Sequence, residues 1–233
     1  MTLKVISFDL DDTFWPILPV VLRAEKLTNL WLIKNYPCIE PLLKKEEIIP
    51  IRDELIYKNA SLSHQLSKLR SMIVSELAMR AGYDASESKE IASKSFEIFF
   101  EARNEVVLFE GVKESLENLK SNYSLGVITN GNADLKRIGL SYLFDFIVSA
   151  EDISASKPDP EIFNAAIEKS GSKADEICHV GDHPINDIQG SLNVGMRAIW
   201  FNKRRQEWPL SDIKVNEINS WSELEYSLKR ITH

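Results

Sequence analysis

Short apolar runs alternate with amphipathic stretches near the N-terminus and again from about residue 106 onward. The runs are rich in β-branched residues and almost continuous in apolarity, which is typical of parallel strands covered by helices on both faces. This alternation predicts an α/β fold with a Rossmann-like core, in which a parallel sheet is the middle of three layers. The predicted strands are residues 5–8, 125–128, 146–148, 177–180 and 198–201.

One stretch between the predicted strands carries clear helix boundaries. Asp159 and Pro160 stand just before the apolar segment 162–167, and Gly171 follows it. An aspartate at the N-cap, a proline in the first turn and a glycine at the end are signals that begin and end a helix. We therefore predict a helix between these residues.

The middle of the chain, from about residue 19 to residue 103, gives no strand signal. Apolar residues recur there at helical spacing instead. We predict an all-helical insertion, residues 16–105, in a core that residues 1–15 and 106–233 form. The alternative is that these helices are one face of a single domain. The predicted helices cover residues 20–32, 46–58, 66–81 and 91–99.

Composition limits the classes to which the protein can belong. Of its 233 residues, 44% are hydrophobic and 27% charged, which is ordinary for a globular protein. The net charge of -7 offers no general attraction for nucleic acid or anionic lipid, so we expect neither as a partner. No apolar run reaches the about 18 residues that a membrane-spanning helix needs. We expect a monomer or a weak dimer.

Cysteine content and the N-terminal sequence favour a reducing compartment. Two cysteines occur, Cys38 and Cys178, and they are too few and too distant in sequence for a disulfide framework. The N-terminus lacks the basic and then apolar layout of a signal peptide. We therefore expect a cytoplasmic protein.

Three acidic residues, Asp9, Asp11 and Asp12, directly follow the first predicted strand. Carboxylates crowded at a strand end repel one another and lose hydration, and a divalent cation would relieve that cost. Asp9 and Asp11 are two residues apart, so their side chains point the same way in an extended chain, whereas Asp12 is interpreted as structural. Taken alone, these residues also fit an ordinary acidic loop.

Three further stretches carry polar groups close to predicted strand ends or to the start of a helix. The carboxyl ends of parallel strands share one edge of the sheet, so we expect these groups to meet the first acidic cluster there. Hydroxyl and backbone N–H groups suit phosphate oxygens, and carboxylates suit a hard cation such as Mg²⁺. The groups belong to Thr129, Asn130 and Gly131, to Lys157, and to Asp182 and Asp187.

These stretches resemble the four motifs of the haloacid dehalogenase superfamily. The helical insertion resembles the superfamily's cap, of the type placed directly after the first motif. The resemblance therefore implies an α/β core with an inserted all-helical cap domain. The matching residues are Asp9-Leu10-Asp11-Asp12-Thr13, Thr129, Lys157, Gly181-Asp182 and Asn186-Asp187.

The resemblance is closer to one branch of the superfamily, the flavin mononucleotide phosphatases, which also act on the phosphorylated ribitylaminouracil intermediate of riboflavin synthesis. The similar segments are residues 19–25, 128–133 and 179–182. This implies a phosphatase for a small phosphorylated metabolite, with flavin mononucleotide or its ribityl-phosphate precursor as candidate substrates.

The resemblance assigns catalytic roles to the first motif. Asp9 would be the nucleophile that forms an aspartyl-phosphate. Asp11 would be the general acid for the leaving alcohol and then the general base for water. Dehalogenases of the superfamily lack an acid at this position and need none, because halide leaves without a proton. The presence of Asp11 therefore favours a phosphatase.

The other motifs would bind the phosphoryl group. The resemblance implies that Thr129, with backbone N–H groups near Asn130 and Gly131, holds the phosphoryl oxygens. Lys157 would neutralise the charge that phosphate and nucleophile bring together. Arg23 in the first insertion helix is the candidate for a further substrate contact. Trp15 either stacks on a flat ring system of the substrate or packs in the core, and we favour core packing.

The implied cofactor is Mg²⁺. Its ligands would be Asp9, the backbone carbonyl of Asp11, and Asp182. Asp187 would be either an outer ligand or a positioning residue for Lys157. Such an ion offsets the repulsion between a phosphate dianion and a carboxylate.

Two alternatives to a phosphatase remain open. A phosphotransferase or phosphomutase on the same scaffold would use the same pair of aspartates while protecting the aspartyl-phosphate from water. A phosphoacceptor signalling module also combines an acidic pair, a hydroxyl residue and a lysine on a parallel sheet. Its phosphorylated aspartate would end a strand between the acidic pair and the hydroxyl residue, and the sequence offers none there before Thr129.

Overall fold

A computed structural model describes residues 2–210 and 214–231 of the chain. Within these residues, six parallel strands form one sheet in the order β3-β2-β1-β4-β5-β6. The predicted α/β class with a parallel, Rossmann-like core is confirmed. The strands are β1 (Val5–Phe8), β2 (Ser124–Thr129), β3 (Phe146–Ser149), β4 (Ile177–Gly181), β5 (Arg197–Phe201) and β6 (Asn216–Ile218).

The chain divides into two compact units. One consists of Met1–Pro16 and Val107–His233 and contains the sheet, and the other is Ile17–Val106. Each boundary lies one residue beyond the one that the sequence predicts. The second unit is helical, with α1 (Ile17–Asn35), α2 (Lys45–Lys58), α3 (Leu66–Arg80) and α4 (Ala85–Arg103), and with 3-10 turns at Pro37–Leu42 and Ala60–His64.

The helical unit has an apolar core of its own, because its helices present buried faces to one another. The buried face of α1 follows an i, i+4 pattern through Val20, Ala24, Thr28 and Leu32. Leu27 shares the helical spacing of this stretch, but its side chain is 43% exposed. The core is formed by Leu32, Ile39, Ile51, Val74, Leu77, Ala78, Ile91 and Ala92.

Short helices cover the sheet in the other unit. One core cluster packs the helix Pro160–Ser170 against β2 and β3 through residues that include Ile128, Val148 and Phe163. The helices are α5 (Val112–Lys120), α6 (Leu135–Ile138), α7 (Ala150–Ile153), α8 (Pro160–Ser170), α9 (Gly190–Asn193) and α10 (Leu224–Ile231), with 3-10 turns at Ser141–Leu143, Ala174–Glu176 and Trp221–Glu223.

The boundaries of α8 follow the signals in the sequence. Asp159 is the N-cap and accepts a hydrogen bond from the backbone N–H of Glu161 at 2.9 Å, and Pro160 is the first helical residue. Gly171 ends the helix with a φ of 64°, a left-handed conformation that glycine adopts without steric cost. The observed start and end of this helix therefore coincide with the signals in the sequence.

The segment after β4 departs from a regular helix. Ile185, Ile188 and Leu192 recur at the spacing that predicts one continuous helical face, but a π-helical turn, Pro184–Gln189, precedes the short α9. Ile185 is 43% exposed, whereas Ile188 is buried. Such wider turns occur often at functional sites.

Among the described residues, none of the helices has the combination of length and apolar character that crossing a membrane requires.

Candidate active site

The carboxylate of Asp9 lies at the C-terminal end of β1. This strand is in the middle of the sheet, between β2 and β4. The backbone N–H of Asp9 donates to the carbonyl of Val180 on β4 at 2.9 Å. The Asp9 side chain is buried, and Lys157 Nζ donates to its Oδ1 at 2.5 Å. The structure thus brings together two predicted site residues that are 148 positions apart in the sequence.

The ammonium of Lys157 is itself buried and has three acceptors. Besides Asp9, it donates to the carbonyl of Ile128 at 2.8 Å and to Asp187 Oδ1 at 2.6 Å. A buried ammonium has three donors and is stable only when opposite charge and acceptors surround it. This arrangement therefore fixes the position of the positive charge beside Asp9.

A buried polar chain holds Asp187 in place behind Lys157. His179 Nε2 lies 3.3 Å from Asp187 Oδ1, and Ser7 Oγ lies 3.0 Å from His179 Nδ1. The backbone N–H of His183 donates to Asp187 Oδ2 at 2.9 Å. A Cβ on Gly181 would lie 2.3 Å from Asp187 Cγ, so only glycine lets this carboxylate approach the end of β4. Both oxygens of Asp187 are engaged, which supports its role as a positioning residue for Lys157.

The pKa values in this cluster reflect burial and neighbouring charge. Burial raises the pKa of Asp9 above its usual range, Asp187 adds to the rise, and Lys157 opposes it. Burial would also raise the pKa of Asp187, but Lys157 and His179 outweigh burial and hold that pKa well below its usual range. Burial lowers the pKa of His179, so the imidazole is neutral at pH 7. Because the carboxylate of Asp187 is an acceptor, Nε2 of the neutral ring must carry the proton.

The neighbouring charges also shift the pKa of the Lys157 ammonium. Burial alone would lower the pKa of Lys157, but the carboxylates of Asp187 and Asp9 raise it above its ordinary value. Lys157 is therefore a permanent cation at neutral pH, as neutralisation of a phosphate requires.

The segment after β2 carries the next group of predicted site residues. Thr129 ends β2 with its side chain buried, and its Oγ1 accepts from the backbone N–H of Gly131 at 3.0 Å. The side chain of Asn130 is engaged with the main chain of Lys157: Nδ2 donates to the carbonyl at 3.0 Å, and Oδ1 accepts from the N–H at 2.7 Å. Asn130 thus holds the loop that carries Lys157. Substrate binding by Asn130 and Gly131 stays a prediction.

Asp11 lies in a tight loop that begins after β1. Trp15 Nε1 donates to Asp11 Oδ1 at 2.9 Å. Trp15 is fully buried, so the preferred prediction of core packing is confirmed. Asp12 has a φ of 59° and pairs with Arg204 at 3.3 Å, which agrees with a structural role for this residue.

Three carboxylates come close enough to hold a metal ion. One oxygen each from Asp9, Asp182 and Asp187 lies within 4.8 Å of the others, whereas the Asp11 carboxyl is directed to Trp15. Burial raises the pKa of Asp182 to about 8, and the carboxylates of Asp187 and Asp9 add to the rise. An oxygen-only donor set whose members repel one another fits a hard divalent cation such as Mg²⁺.

A cavity of about 590 Å³ lies beside this cluster, within the unit that contains the sheet. Asp182 is part of its lining, together with Phe109, Lys203 and Arg204. The ammonium of Lys203 lies 4.7 Å from the centre of the Phe109 ring. The volume is within the range of roughly 300–1,000 Å³ that is usual for small-molecule sites.

Arg23 belongs to the helical unit, and its guanidinium is engaged there. It donates to the carbonyl oxygens of Ala102 at 2.8 Å and Glu105 at 2.5 Å, and it pairs with the Glu105 carboxylate at 3.3 Å. These contacts fix the end of α4 to α1. A contact of Arg23 with substrate stays a prediction.

Sequence reasoning gave no role to Ser7 or His179. A signal was present, because both are polar residues within strands that are otherwise apolar. The two residues lie directly opposite each other in the β1–β4 register. Recognising the pair required the strand order, which the sequence does not state.

A family comparison identifies the class of enzyme. Residues 42–201 match the family of haloacid dehalogenase-like hydrolases, and this match covers more than half of the chain. The chain belongs to that family. The matched region contains Thr129, Lys157, Asp182 and Asp187 and begins after Asp9, whose place in the same site rests on the geometry given above.

Individual relatives include both phosphatases and a dehalogenase. The 5-amino-6-(5-phospho-D-ribitylamino)uracil phosphatase YigB of Escherichia coli is 29% identical over 85% of this chain and 83% of its own length. A glyceraldehyde 3-phosphate phosphatase of Methanothermobacter thermautotrophicus is 26% identical, over 93% of each chain. A solved structure of a 2-haloacid dehalogenase from Pseudomonas syringae pv. Tomato DC3000 is 39% identical, with a TM-score of 0.96 over 98% of this chain and 99% of that one.

These comparisons confirm the predicted superfamily, and the phosphatases among the relatives support the predicted enzyme class, a hydrolase of the phosphatase type.

Proposed function

We propose that this enzyme is a Mg²⁺-dependent phosphatase that hydrolyses a small phosphorylated metabolite through an aspartyl-phosphate on Asp9. The proposed substrate is flavin mononucleotide or its ribityl-phosphate precursor. The observation that carries the proposal is the environment of Asp9, a buried carboxylate at a strand end with the Lys157 ammonium at 2.5 Å. The proposal needs no nucleic acid, membrane or protein partner, and the enzyme would act as a monomer or a weak dimer.

The first step is attack of the Asp9 carboxylate on phosphorus, with loss of the substrate alcohol. Lys157 stabilises the negative charge that gathers on the phosphoryl oxygens, because its position is fixed before the substrate arrives. Asp11 gives its proton to the leaving oxygen, so that an alcohol departs and not an alkoxide. In the second step Asp11 takes a proton from the water that attacks the aspartyl-phosphate, which returns both carboxyl groups to their starting states.

Asp9 and Asp182 would hold Mg²⁺, together with the backbone carbonyl of Asp11. When bound, the ion supplies positive charge that offsets the repulsion between the phosphate and the carboxylates. Asp187 would act mainly through Lys157, because its two oxygens already accept from Lys157, His179 and the His183 backbone.

The dehalogenase with 39% identity makes dehalogenation the second candidate function. The chemistry of the leaving group separates the two. A halide ion leaves without a proton, whereas an alkoxide is a poor leaving group that needs an acid. Asp11, two residues after the nucleophile, supports the phosphatase.

The substrate proposal rests on YigB, whose name gives a phosphorylated ribitylaminouracil as its substrate, and on the similar segments of the sequence. Flavin mononucleotide carries the same ribityl phosphate on a flat ring system. A primary alkyl phosphate of this kind requires the general acid that Asp11 would provide.

A substrate panel tests the proposal. The purified chain would be assayed with Mg²⁺ against flavin mononucleotide, its ribityl-phosphate precursor, nucleotides, sugar phosphates and a 2-haloacid. We expect phosphate release from ribityl phosphates and no halide release. Isomerised sugar phosphate without phosphate release would indicate a mutase, and a stable phosphorylated protein without turnover would indicate a phosphoacceptor module.

The substitution Asp9→Asn tests the nucleophile. We expect kcat to fall by about 10³-fold or more, because the amide cannot form the covalent intermediate. Mass spectrometry of quenched reactions should show one added phosphoryl group on the wild type and none on the variant. Asp159→Asn is the matched control, because asparagine caps a helix as well as aspartate does, and it should keep activity. Normal turnover by Asp9→Asn would refute the mechanism.

A further inference from the structure

The indole of Trp15 forms a hydrogen bond with the side chain that we propose as general acid. Nε1 of Trp15 lies 2.9 Å from Oδ1 of Asp11, four residues earlier in the chain. Trp15 has no exposed surface, whereas Asp11 is half-buried. A buried, rigid donor is thus directed at a carboxyl group that has access to solvent.

The loop between the two residues keeps this donor in place. The backbone N–H of Asp12 donates to the carbonyl of Trp15 at 2.8 Å, and residues 11 and 15 form an isolated bridge. The indole packs edge-to-face on Phe14, with the ring centres 6.0 Å apart. Because packing and backbone bonds fix the ring, the N–H cannot turn away from Asp11 without disturbing the loop.

A neutral carboxyl group has one carbonyl oxygen and one hydroxyl oxygen. The carbonyl oxygen is the stronger hydrogen-bond acceptor of the two, so an N–H donor favours the form in which it meets that oxygen. In the protonated Asp11 the bond from Trp15 to Oδ1 therefore directs the acidic proton to Oδ2. The indole also restricts rotation of the carboxyl group about its Cβ–Cγ bond.

We infer that Trp15 is a positioning residue for the general acid, which orients Asp11 so that its proton reaches the leaving oxygen. This inference rests on the proposed function. Asp11 then donates the Oδ2 proton to the bridging oxygen as the bond from that oxygen to phosphorus breaks and the bond from Asp9 to phosphorus forms. The products of the step are the free alcohol, the aspartyl-phosphate and the Asp11 carboxylate.

Full burial separates this role from stacking on a substrate ring. Stacking requires a ring face that the ligand can reach, and Trp15 offers no accessible surface. Its influence on the reaction would pass through Asp11.

The test compares two substrates with different needs for an acid. An alkyl phosphate leaves as an alkoxide unless it is protonated, whereas the p-nitrophenolate of p-nitrophenyl phosphate is stable without a proton. For Trp15→Phe we expect kcat/KM to fall about tenfold with the best alkyl phosphate and by less than about twofold with p-nitrophenyl phosphate. Asp11→Asn gives the largest loss that removal of the acid can cause, and its kcat/KM with the alkyl phosphate should fall by about 10²- to 10⁴-fold.

Trp221→Phe is the matched control. The Trp221 indole is also buried and donates to the same loop, but its acceptor is the backbone carbonyl of Thr13 at 3.1 Å. Loss of this bond should affect the two substrates equally. The ratio of the two kcat/KM values therefore separates orientation of the acid from general damage to the loop.

The inference is overturned if Trp15→Phe lowers kcat/KM by the same factor for both substrates or leaves both values unchanged. If that variant does not fold, β-(3-benzothienyl)alanine at position 15 keeps the shape of the indole and removes only the N–H. We expect this variant to show the same selective loss of kcat/KM with the alkyl phosphate. An equal fold-change with both substrates would again overturn the inference. If the wild type releases phosphate from neither substrate, the proposed function fails, and this inference falls with it.

Discussion

A chain of buried polar side chains runs through the centre of the sheet, from Ser7 through His179 and Asp187 to Lys157 and Asp9. Removing polar groups from water is costly unless each one finds a partner. The hydroxyl, the imidazole, the two carboxylates and the ammonium satisfy one another at distances between 2.5 and 3.3 Å. The chain therefore stabilises a charge arrangement that an apolar strand interior would not tolerate.

His179→Leu tests whether this chain positions Lys157. The leucine removes the N–H that supports Asp187 and leaves the Ser7 hydroxyl without its partner. We expect kcat to fall about tenfold and the free energy of unfolding to fall by about 1–3 kcal/mol, as when a buried polar group loses its hydrogen bond. Steady-state kinetics and chemical denaturation measure the two effects.

Two further variants separate positioning from folding. His179→Gln keeps an N–H donor and should recover part of kcat, whereas Ser7→Ala removes only the outer link and should cost less than His179→Leu. Full kcat in His179→Leu would show that Asp187 holds Lys157 without help from the imidazole.

Among the helices, α4 shows how local sequence specifies a boundary. Asp84 accepts from the backbone N–H groups of Ser86 at 2.8 Å and Glu87 at 2.9 Å, and Glu87 accepts in return from the N–H of Asp84 at 3.2 Å. This reciprocal cap satisfies backbone donors that the first turn of a helix leaves unpaired. The same logic made α8 predictable from Asp159, Pro160 and Gly171.

Asp84→Ala should destabilise the protein through α4. Loss of the cap costs about 1 kcal/mol, which we expect as a lower midpoint of chemical denaturation with an unchanged slope. Asp53→Ala is the control, because Asp53 is an exposed acid within α2 and its removal should change stability by no more than about 0.5 kcal/mol. Equal stability of Asp84→Ala and the wild type would show that packing alone determines the start of α4.

Strand β6 and the π-helical turn were not predictable in the same way. Asn216 and Glu217 are exposed polar residues at the edge of the sheet, so β6 has no apolar run to mark it. The turn at Pro184–Gln189 departs from regular helical spacing where Asp187 approaches Gly181. The pairing of β6 with β5 defines the strand, and the turn accompanies the contacts of Asp187 with Gly181 and Lys157.

For the molecule as a whole, the carboxylate cluster links stability to pH and to the metal. The pKa of Asp182 rises from 3.8 to about 8 in the folded protein. A carboxyl whose pKa is raised by folding favours the native state below its unfolded pKa, and this contribution is lost as the pH rises through the folded value. Without a metal, we therefore expect this site to lose stability between about pH 4 and pH 8.

Mg²⁺ should reverse that loss, because it binds the charged carboxylates of the native state. The increase in Tm on addition of MgCl₂ should be larger at pH 8 than at pH 6, where protons compete with the metal. Differential scanning fluorimetry with NaCl at equal ionic strength measures it. Asp182→Asn should remove most of the increase, and an equal increase at both pH values would contradict the linkage.

The order of apolar runs along this chain was enough to predict a parallel α/β core, because strands buried on both faces must be apolar. The strand-end residues Asp9, Thr129 and Asp182 could be assigned to one edge for the same topological reason, and Lys157 was placed there from its position just before a helix. Only the tertiary structure showed that Trp15 is hydrogen-bonded to Asp11 and that His179 is hydrogen-bonded to Asp187. Hydrogen bonds depend on the direction of each side chain and on which strands become neighbours, and neither is set by spacing along the sequence.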